Sequence, residues 1–179
     1  MNYSQALDLV RKKVPQENLI RHMIAVSSIM KALAVRFHEP QEKWACAGLV
    51  HDIDLGETDD PAQHGKLGAA WLETLGFEKD ICQAVKAHAN HIPCASLMDK
   101  ALYAADQISG LIVACALVKD RKLENVSTKT VLKRFKEKRF AAGANRESIL
   151  TCQSFGLTLE DFTDIALNAM REVSKEIGL

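Results

Sequence analysis

The sequence places a histidine and an aspartate side by side at the end of an apolar run. The run begins at Ala45 and closes with His51 and Asp52. Because successive residues of a helix lie about 100° apart, both side chains could reach one cavity. Imidazole nitrogens and carboxylate oxygens are typical ligands of Fe, Mn, Zn and similar divalent ions. The pair therefore predicts a metal site that other histidines help to form.

Further candidate ligands stand in other predicted helices. His22 lies one turn into a helix, His64 opens another, and His88 is in register with the apolar residues of a third. Asp106 follows the small and apolar residues 101–105. Its carboxylate either lies on a buried face, where it needs a partner such as a metal ion, or faces solvent beside an apolar stripe. Both readings remain open from the residues alone.

Composition and charge exclude several classes of protein. The 179 residues are 47% hydrophobic and carry 23 basic and 23 acidic side chains, a balance that argues against a broad nucleic-acid surface. The longest apolar run, 110–118, is too short to cross a bilayer, and residues 3–14 lack the apolar core of a signal peptide. Five scattered cysteines without a Cys-x-x-Cys pair indicate reduced thiols. We expect a cytoplasmic protein that binds neither membrane nor nucleic acid. Its oligomeric state stays open, with a homodimer as one option.

Apolar residues recur at helical spacing along the chain, and no stretch alternates with period two. The pattern predicts an all-α, single-domain helical bundle of about eight or nine helices. Predicted helices cover residues 4–14, 18–37, 41–52, 63–75, 78–90, 96–118, 128–140, 146–155 and 159–177.

The predicted helix 128–140 carries a basic segment that could bind substrate phosphates. On a helix, Lys133, Lys136 and Arg139 would line up at i, i+3 spacing, with Arg146 nearby. The alternative is an ordinary solvated cationic face. The C-terminal helices could also form a lid over a cavity.

The order of these residues resembles a known family signature. His22, His51-Asp52 and Asp106 resemble the H…HD…D pattern of the HD-domain superfamily of metal-dependent phosphohydrolases. His64 and His88 resemble the two additional histidines of its six-ligand, two-metal members, and the whole resembles a small stand-alone hydrolase of the HDIG-like type. The stretches that resemble the family locally are 47–52, 64–69, 84–88 and 102–106. The resemblance implies a metal-binding core at 18–118 and a helical extension at 119–179 within a single domain, 1–179.

The resemblance also implies a ligand set for two divalent transition-metal ions, with Fe, Mn, Co and Zn as candidates. One ion would be held by His22, His51, Asp52 and Asp106, and the second by Asp52, His64 and His88. Asp52 would bridge the ions and be the catalytic residue. His91, one turn after His88, could join the second ion or orient substrate.

The implied reaction is hydrolysis of a phosphoester or phosphoanhydride by a metal-bridging hydroxide. The substrate would be a small phosphorylated compound, with a nucleotide or dinucleotide favoured. Two alternatives share the ligand set: a mixed-valent di-iron oxygenase and a non-catalytic, metal-binding regulatory module.

The segment after Asp52 departs from many relatives. Asp54 and Leu55 stand where those relatives carry the glycine of His-Asp-Ile-Gly and a lysine. Asp54, Glu57 and Asp59 are carboxylates near the predicted site that could act as acid or base. We interpret them as part of a solvated loop.

Overall fold

The structure is a computed structural model that describes all 179 residues. It contains ten α-helices, three short 3₁₀ turns and no strand, so the all-α prediction is confirmed. The helices are α1 (Tyr3–Lys13), α2 (Glu17–Phe37), α3 (Gln41–Val50), α4 (Lys66–Thr74), α5 (Lys79–His88), α6 (Leu97–Leu117), α7 (Thr128–Phe135), α8 (Arg146–Leu150), α9 (Leu159–Glu172) and α10 (Ser174–Ile177).

The two longest helices, α2 and α6, carry much of the core. Met23, Ile29, Leu102 and Ile108 are fully buried on their facing sides. Both helices are long and apolar enough to span a membrane, yet 56% of each such window is buried inside the fold. Core helices of globular domains have the same length and composition.

Helix α3 packs tightly against α2, and this contact positions the histidine–aspartate pair. A side chain at Gly48 would bring its Cβ within 2.8 Å of the Ser27 Cα, so only glycine fits at this crossing. The Ser27 hydroxyl donates a hydrogen bond of 2.7 Å to the Ala45 carbonyl across the same interface. Since α3 ends at Val50, His51 and Asp52 follow directly from this rigid contact.

Replacing Gly48 with alanine is expected to destabilise the protein. The added methyl group must push α3 away from the α2 backbone, and such overpacking costs roughly 1–3 kcal/mol. Urea unfolding measures the loss. The matched control is Gly110→Ala at an exposed position of helix α6, where an added Cβ meets nothing within 4 Å. It should stabilise by about 0.5–1 kcal/mol. Equal effects at the two positions would show that the α2–α3 contact is not tight.

Among the predicted helix boundaries that are wrong, two have a clear structural cause. Helix α4 begins at Lys66 rather than near residue 63, because Gly65 adopts a positive φ of 77° and leaves His64 in the preceding turn. Helix α7 ends at Phe135 rather than at residue 140. There the Arg146 side chain binds the carbonyls of Phe135 and Phe140, which holds the following residues in a turn instead of a helix.

Candidate metal centre

Six histidine and aspartate side chains from five parts of the chain converge on one point. Asp52 lies at the middle. Its Oδ2 atom is 3.5 Å from His22 Nε2 and 3.3 Å from His51 Nε2. Its Oδ1 atom is 3.5 Å from His64 Nε2 and 3.3 Å from His88 Nε2. The carboxylate therefore separates two pairs of imidazoles.

Asp106 approaches the first of these pairs from α6. Its Oδ1 atom lies 3.1 Å from His22 Nε2 and 3.8 Å from His51 Nε2. The Asp106 carboxylate thus lies on the inner face of the helix and not on its solvated side. Two sets of possible ligands result, and they share Asp52: His22, His51 and Asp52 form one, and Asp52, His64 and His88 form the other.

Each of the four imidazoles points Nε2 at Asp52 and is held by a hydrogen bond at its other ring nitrogen, Nδ1. The Nδ1 atom of His51 donates to the Gly48 carbonyl at 2.8 Å, and that of His88 donates to the Val85 carbonyl at 2.6 Å. The Nδ1 atom of His22 contacts the Ser109 hydroxyl at 3.1 Å, and this hydroxyl donates a hydrogen bond to the Asp106 carbonyl. With Nδ1 protonated, the neutral ring leaves Nε2 as a lone pair that points at the cluster.

His64 is oriented by a carboxylate, Asp54. The Asp54 Oδ1 atom lies 3.0 Å from His64 Nδ1. Its Oδ2 atom accepts hydrogen bonds from the backbone of Gly65 at 2.6 Å and of Gly68 at 2.9 Å. Asp54 is fully buried, so its interpretation as part of a solvated loop is wrong. A carboxylate behind a histidine is a common arrangement at metal ligands, because it fixes the ring and raises its basicity.

The arrangement fits bound cations. His51 Nε2 is buried and has no hydrogen-bond partner. His88 Nε2 and His64 Nε2 lie only 3.2 Å apart, although each carries a lone pair in the neutral form. Neutral rings placed this way repel unless a proton or a cation lies between them. Nitrogen and carboxylate donors together suit first-row divalent metals. The residues present therefore match the divalent metal that the sequence predicted, while the ligand assignments stay predictions.

The carboxylates change the pKa values of the metal-free cluster. Burial opposes the charged form of His22, but hydrogen bonds to Asp106 and Asp52 outweigh it and raise the pKa to about 9. Burial likewise opposes ionisation of Asp52 and Asp106, yet the neighbouring imidazoles hold the pKa of both carboxyls well below their usual range. The metal-free cluster thus retains protons on its imidazoles, and bound cations would replace that positive charge.

The metal-free protein is expected to lose stability as the pH rises from about 6.5 to about 9. Because the folded-state pKa of His22 is raised, its stabilising charge is fully present below the ordinary value of 6.5 and is lost as the pH rises through 9. The loss is at most about 3 kcal/mol, and solvent reduces it because a quarter of the side chain is exposed.

Urea unfolding in a chelator at the two ends of this pH range measures the loss. His22→Asn should show a smaller loss, whereas the exposed His38→Asn should behave like the natural protein. Stability that stays constant or increases with pH would show that the pKa of His22 is not raised in the folded protein.

Other candidate residues lie around the cluster. His91 Nε2 donates to the His64 carbonyl at 2.6 Å, so this ring supports the His64 turn and belongs to neither set of possible ligands. Glu57 is exposed and pairs with Lys13 at 3.0 Å, and Asp59 is exposed. Neither joins the cluster.

The basic segment does not form the predicted helical row. Since α7 ends at Phe135, Lys133, Lys136 and Arg139 cannot line up at i, i+3 spacing, although all three are exposed. Arg146 donates to the carbonyls of Ala141 and Ala144 at 2.7 and 2.6 Å, besides those that end α7. Its guanidinium is therefore engaged in folding the 136–145 segment, and phosphate binding by the three exposed residues stays a prediction.

Ser109 and Gln107 were not predicted as positioning residues, and Asp54 was named as a possible acid or base but interpreted as part of a loop. Gln107 Nε2 contacts Asp106 Oδ2 at 2.5 Å, and its Oε1 accepts from the Asn145 backbone at 2.8 Å. The amide thereby links the cluster to the C-terminal helices. The i, i+3 spacing of Asp106 and Ser109 on one helix is the signal that could have identified Ser109.

Comparison with known proteins places the cluster in a family. The HD domain family model matches residues 19–111, which contain all six clustered side chains. Ribonuclease Y of Oleidesulfovibrio alaskensis is 30% identical over 95 residues, which are 52% of this chain and 18% of that protein. Ribonuclease Y of Nitratidesulfovibrio vulgaris is 32% identical over 97 residues, again 52% and 18% of the two chains.

A third relative is closer in size. A protein of Methanocaldococcus jannaschii described as uncharacterized is 30% identical over 93 residues, 49% of this chain and 54% of that one. No solved structure matches the chain. The chain thus spans less than a fifth of the ribonuclease Y relatives and about half of the archaeal one. More than half of the sequence matches the family model, and the chain belongs to the HD domain family.

Proposed function

We propose that this protein is a metal-dependent phosphohydrolase with a two-ion centre. It would cleave a phosphoester or phosphoanhydride bond of a small phosphorylated compound, with a nucleotide or dinucleotide as the favoured class. The observation that carries the proposal is the position of Asp52, whose two carboxylate oxygens face two different pairs of imidazoles.

Each clustered side chain has a role in this proposal. His22, His51 and Asp106 would hold one ion, His64 and His88 the other, and Asp52 both. Divalent ions bound there would supply an acidified water and neutralise charge on the phosphate. The residues behind the ligands keep each imidazole in the tautomer that offers Nε2, and Asp54 keeps His64 in place.

Family membership and the relatives support hydrolysis of phosphate esters. The name ribonuclease Y denotes cleavage of a phosphodiester, and the HD domain match of this chain, residues 19–111, contains the cluster. Because the chain covers only 18% of each of them, their RNA substrate does not transfer with the shared region. A small nucleotide is the simpler substrate for a chain with zero net charge, since RNA binding rests on a cationic surface.

Hydrolysis of bis(p-nitrophenyl) phosphate tests this function without assuming a nucleobase. Protein loaded separately with Mn²⁺, Fe²⁺, Co²⁺ or Zn²⁺ should release p-nitrophenol with at least one metal, and a chelator should stop the release. Bound metal without turnover under any of these conditions, in air or under anaerobic conditions, would contradict the proposal.

A further inference from the structure

A concavity with several polar residues in its lining lies near the cluster. It has a volume of about 480 Å³ and lies between the loop that follows α5, one face of α6, and the 3₁₀ turn that follows α8. Its polar lining residues are Asn90, His91, Lys100, Tyr103, Thr151 and Ser154.

One hydrogen bond and one position along a helix connect this concavity to the candidate metal centre. His91 lines its wall and donates to the carbonyl of His64, itself one of the clustered residues. Tyr103 lies one helical turn before Asp106 on α6, so the two residues are neighbours along the helix surface. The concavity is therefore separated from the cluster by His91 and by one turn of α6.

The lining residues match the parts of a nucleotide. Tyr103 is half-buried and offers an aromatic ring on which a base can stack. Lys100, one turn earlier on α6, is also half-buried. The salt bridges formed by lysines involve Lys13, Lys43 and Lys86 but not Lys100. The Lys100 ammonium group is thus left for an anionic ligand.

The size of the concavity sets an upper limit on what it holds. Small-molecule pockets typically measure about 300–1,000 Å³, and a volume near the lower end of that range accommodates one nucleoside unit rather than several. The hydroxyl and amide groups of Asn90, Thr151 and Ser154 suit the heteroatoms of a base or a ribose.

We propose that this concavity is a subsite for one nucleoside unit of the substrate, with the base stacked on Tyr103 and a non-reacting phosphate paired with Lys100. The inference rests on the proposed function for the reaction that follows binding. It makes Tyr103 and Lys100 specificity-determining residues and assigns neither a part in bond cleavage.

A larger groove elsewhere supplies the control. It measures about 1000 Å³, lies between α2 and α9, and no side chain in its lining is hydrogen-bonded to a clustered residue, in contrast to His91 in the smaller concavity. Lys31 on its wall is exposed and, like Lys100, forms no salt bridge. Lys31→Ala therefore removes one cationic side chain from a concavity that has no part in the proposal.

Binding of a non-hydrolysable nucleotide tests the subsite. The probe is α,β-methylene-ADP, whose two phosphates can meet the metal ions and Lys100 at the same time, and calorimetry measures its Kd on Mn²⁺-loaded protein. Tyr103→Ala should weaken binding about tenfold or more, since a base loses its stacking partner. Lys100→Ala should weaken it about fivefold, and Lys31→Ala should leave it unchanged. The second probe is the matching methylenebisphosphonate of ribose, which has no base. It should bind more weakly, and Tyr103→Ala should not weaken it further.

The outcomes separate this inference from the proposed function. Equal affinity for the two probes, or a Kd of α,β-methylene-ADP that either Tyr103→Ala or Lys100→Ala leaves unchanged, would overturn the subsite even if bis(p-nitrophenyl) phosphate is cleaved. Base-dependent binding that both substitutions weaken would support the subsite even if no phosphodiester is cleaved, in which case only the proposed function fails.

Discussion

Replacing Asp52 with alanine is expected to remove the ion at His64 and His88, to weaken the other ion, and to reduce phosphodiester hydrolysis by about a thousandfold or more. Its carboxylate faces both imidazole pairs, one through each oxygen. Without it, the second set keeps only two ligands, the first keeps His22, His51 and Asp106, and much of the charge that balances the imidazoles disappears. Metal content per chain, measured by mass spectrometry after dialysis, should fall from about two ions to one or fewer.

Asp59→Ala is the matched control for Asp52→Ala. Asp59 is an exposed carboxylate seven positions along the chain and outside the cluster. It should leave both metal content and turnover unchanged. Circular dichroism of both variants distinguishes loss of ligands from loss of fold. An Asp52→Ala protein that still carries two ions would show that the carboxylate is not shared between them.

Replacing Asp54 with alanine is expected to weaken the second ion selectively. The substitution leaves His64 Nδ1 and two backbone N–H groups without their acceptor. Loss of a partner behind a metal ligand typically lowers metal affinity about 10- to 100-fold. Each stranded buried donor also destabilises the fold by about 1–3 kcal/mol. The ion held by His22 and His51 should keep its affinity, because those rings are oriented by other groups.

Stepwise metal titration followed by calorimetry separates the two binding events. Glu57→Ala is the control, since Glu57 is an exposed carboxylate of the same segment that pairs with Lys13. If Asp54→Ala weakens both ions equally, or neither, then Asp54 does not act through His64. Unfolding in urea gives the accompanying loss of stability.

The sequence predicted the helical architecture because apolar periodicity of 3.6 is a local signal. Each amphipathic segment carries it independently of the rest of the fold. Helix ends were predicted less well because distant atoms decide them. Arg146 ends α7 through carbonyls about ten residues away, and the position of His64 depends on the conformation of Gly65.

The candidate centre could be predicted as a set of residues but not as a geometry. His22 and Asp106 are far apart in the chain, and only the packing of α2 against α6 brings their side chains to 3.1 Å. Asp54 was interpreted as a loop residue because its neighbours, Gly56, Asp59 and Pro61, indicate a solvated loop. Its burial follows from hydrogen bonds to the turn at Gly65 and Gly68, which no local pattern reveals.

A crystal structure of the protein grown with Mn²⁺, with data collected at the manganese absorption edge, would show whether Asp52 is shared by two ions. We expect two anomalous peaks, one between His22, His51 and Asp106 and one between His64 and His88, with an oxygen of Asp52 bound to each. A manganese-loaded protein with no peak at Asp52, or with a peak that lacks Asp52 as a ligand, would contradict this expectation.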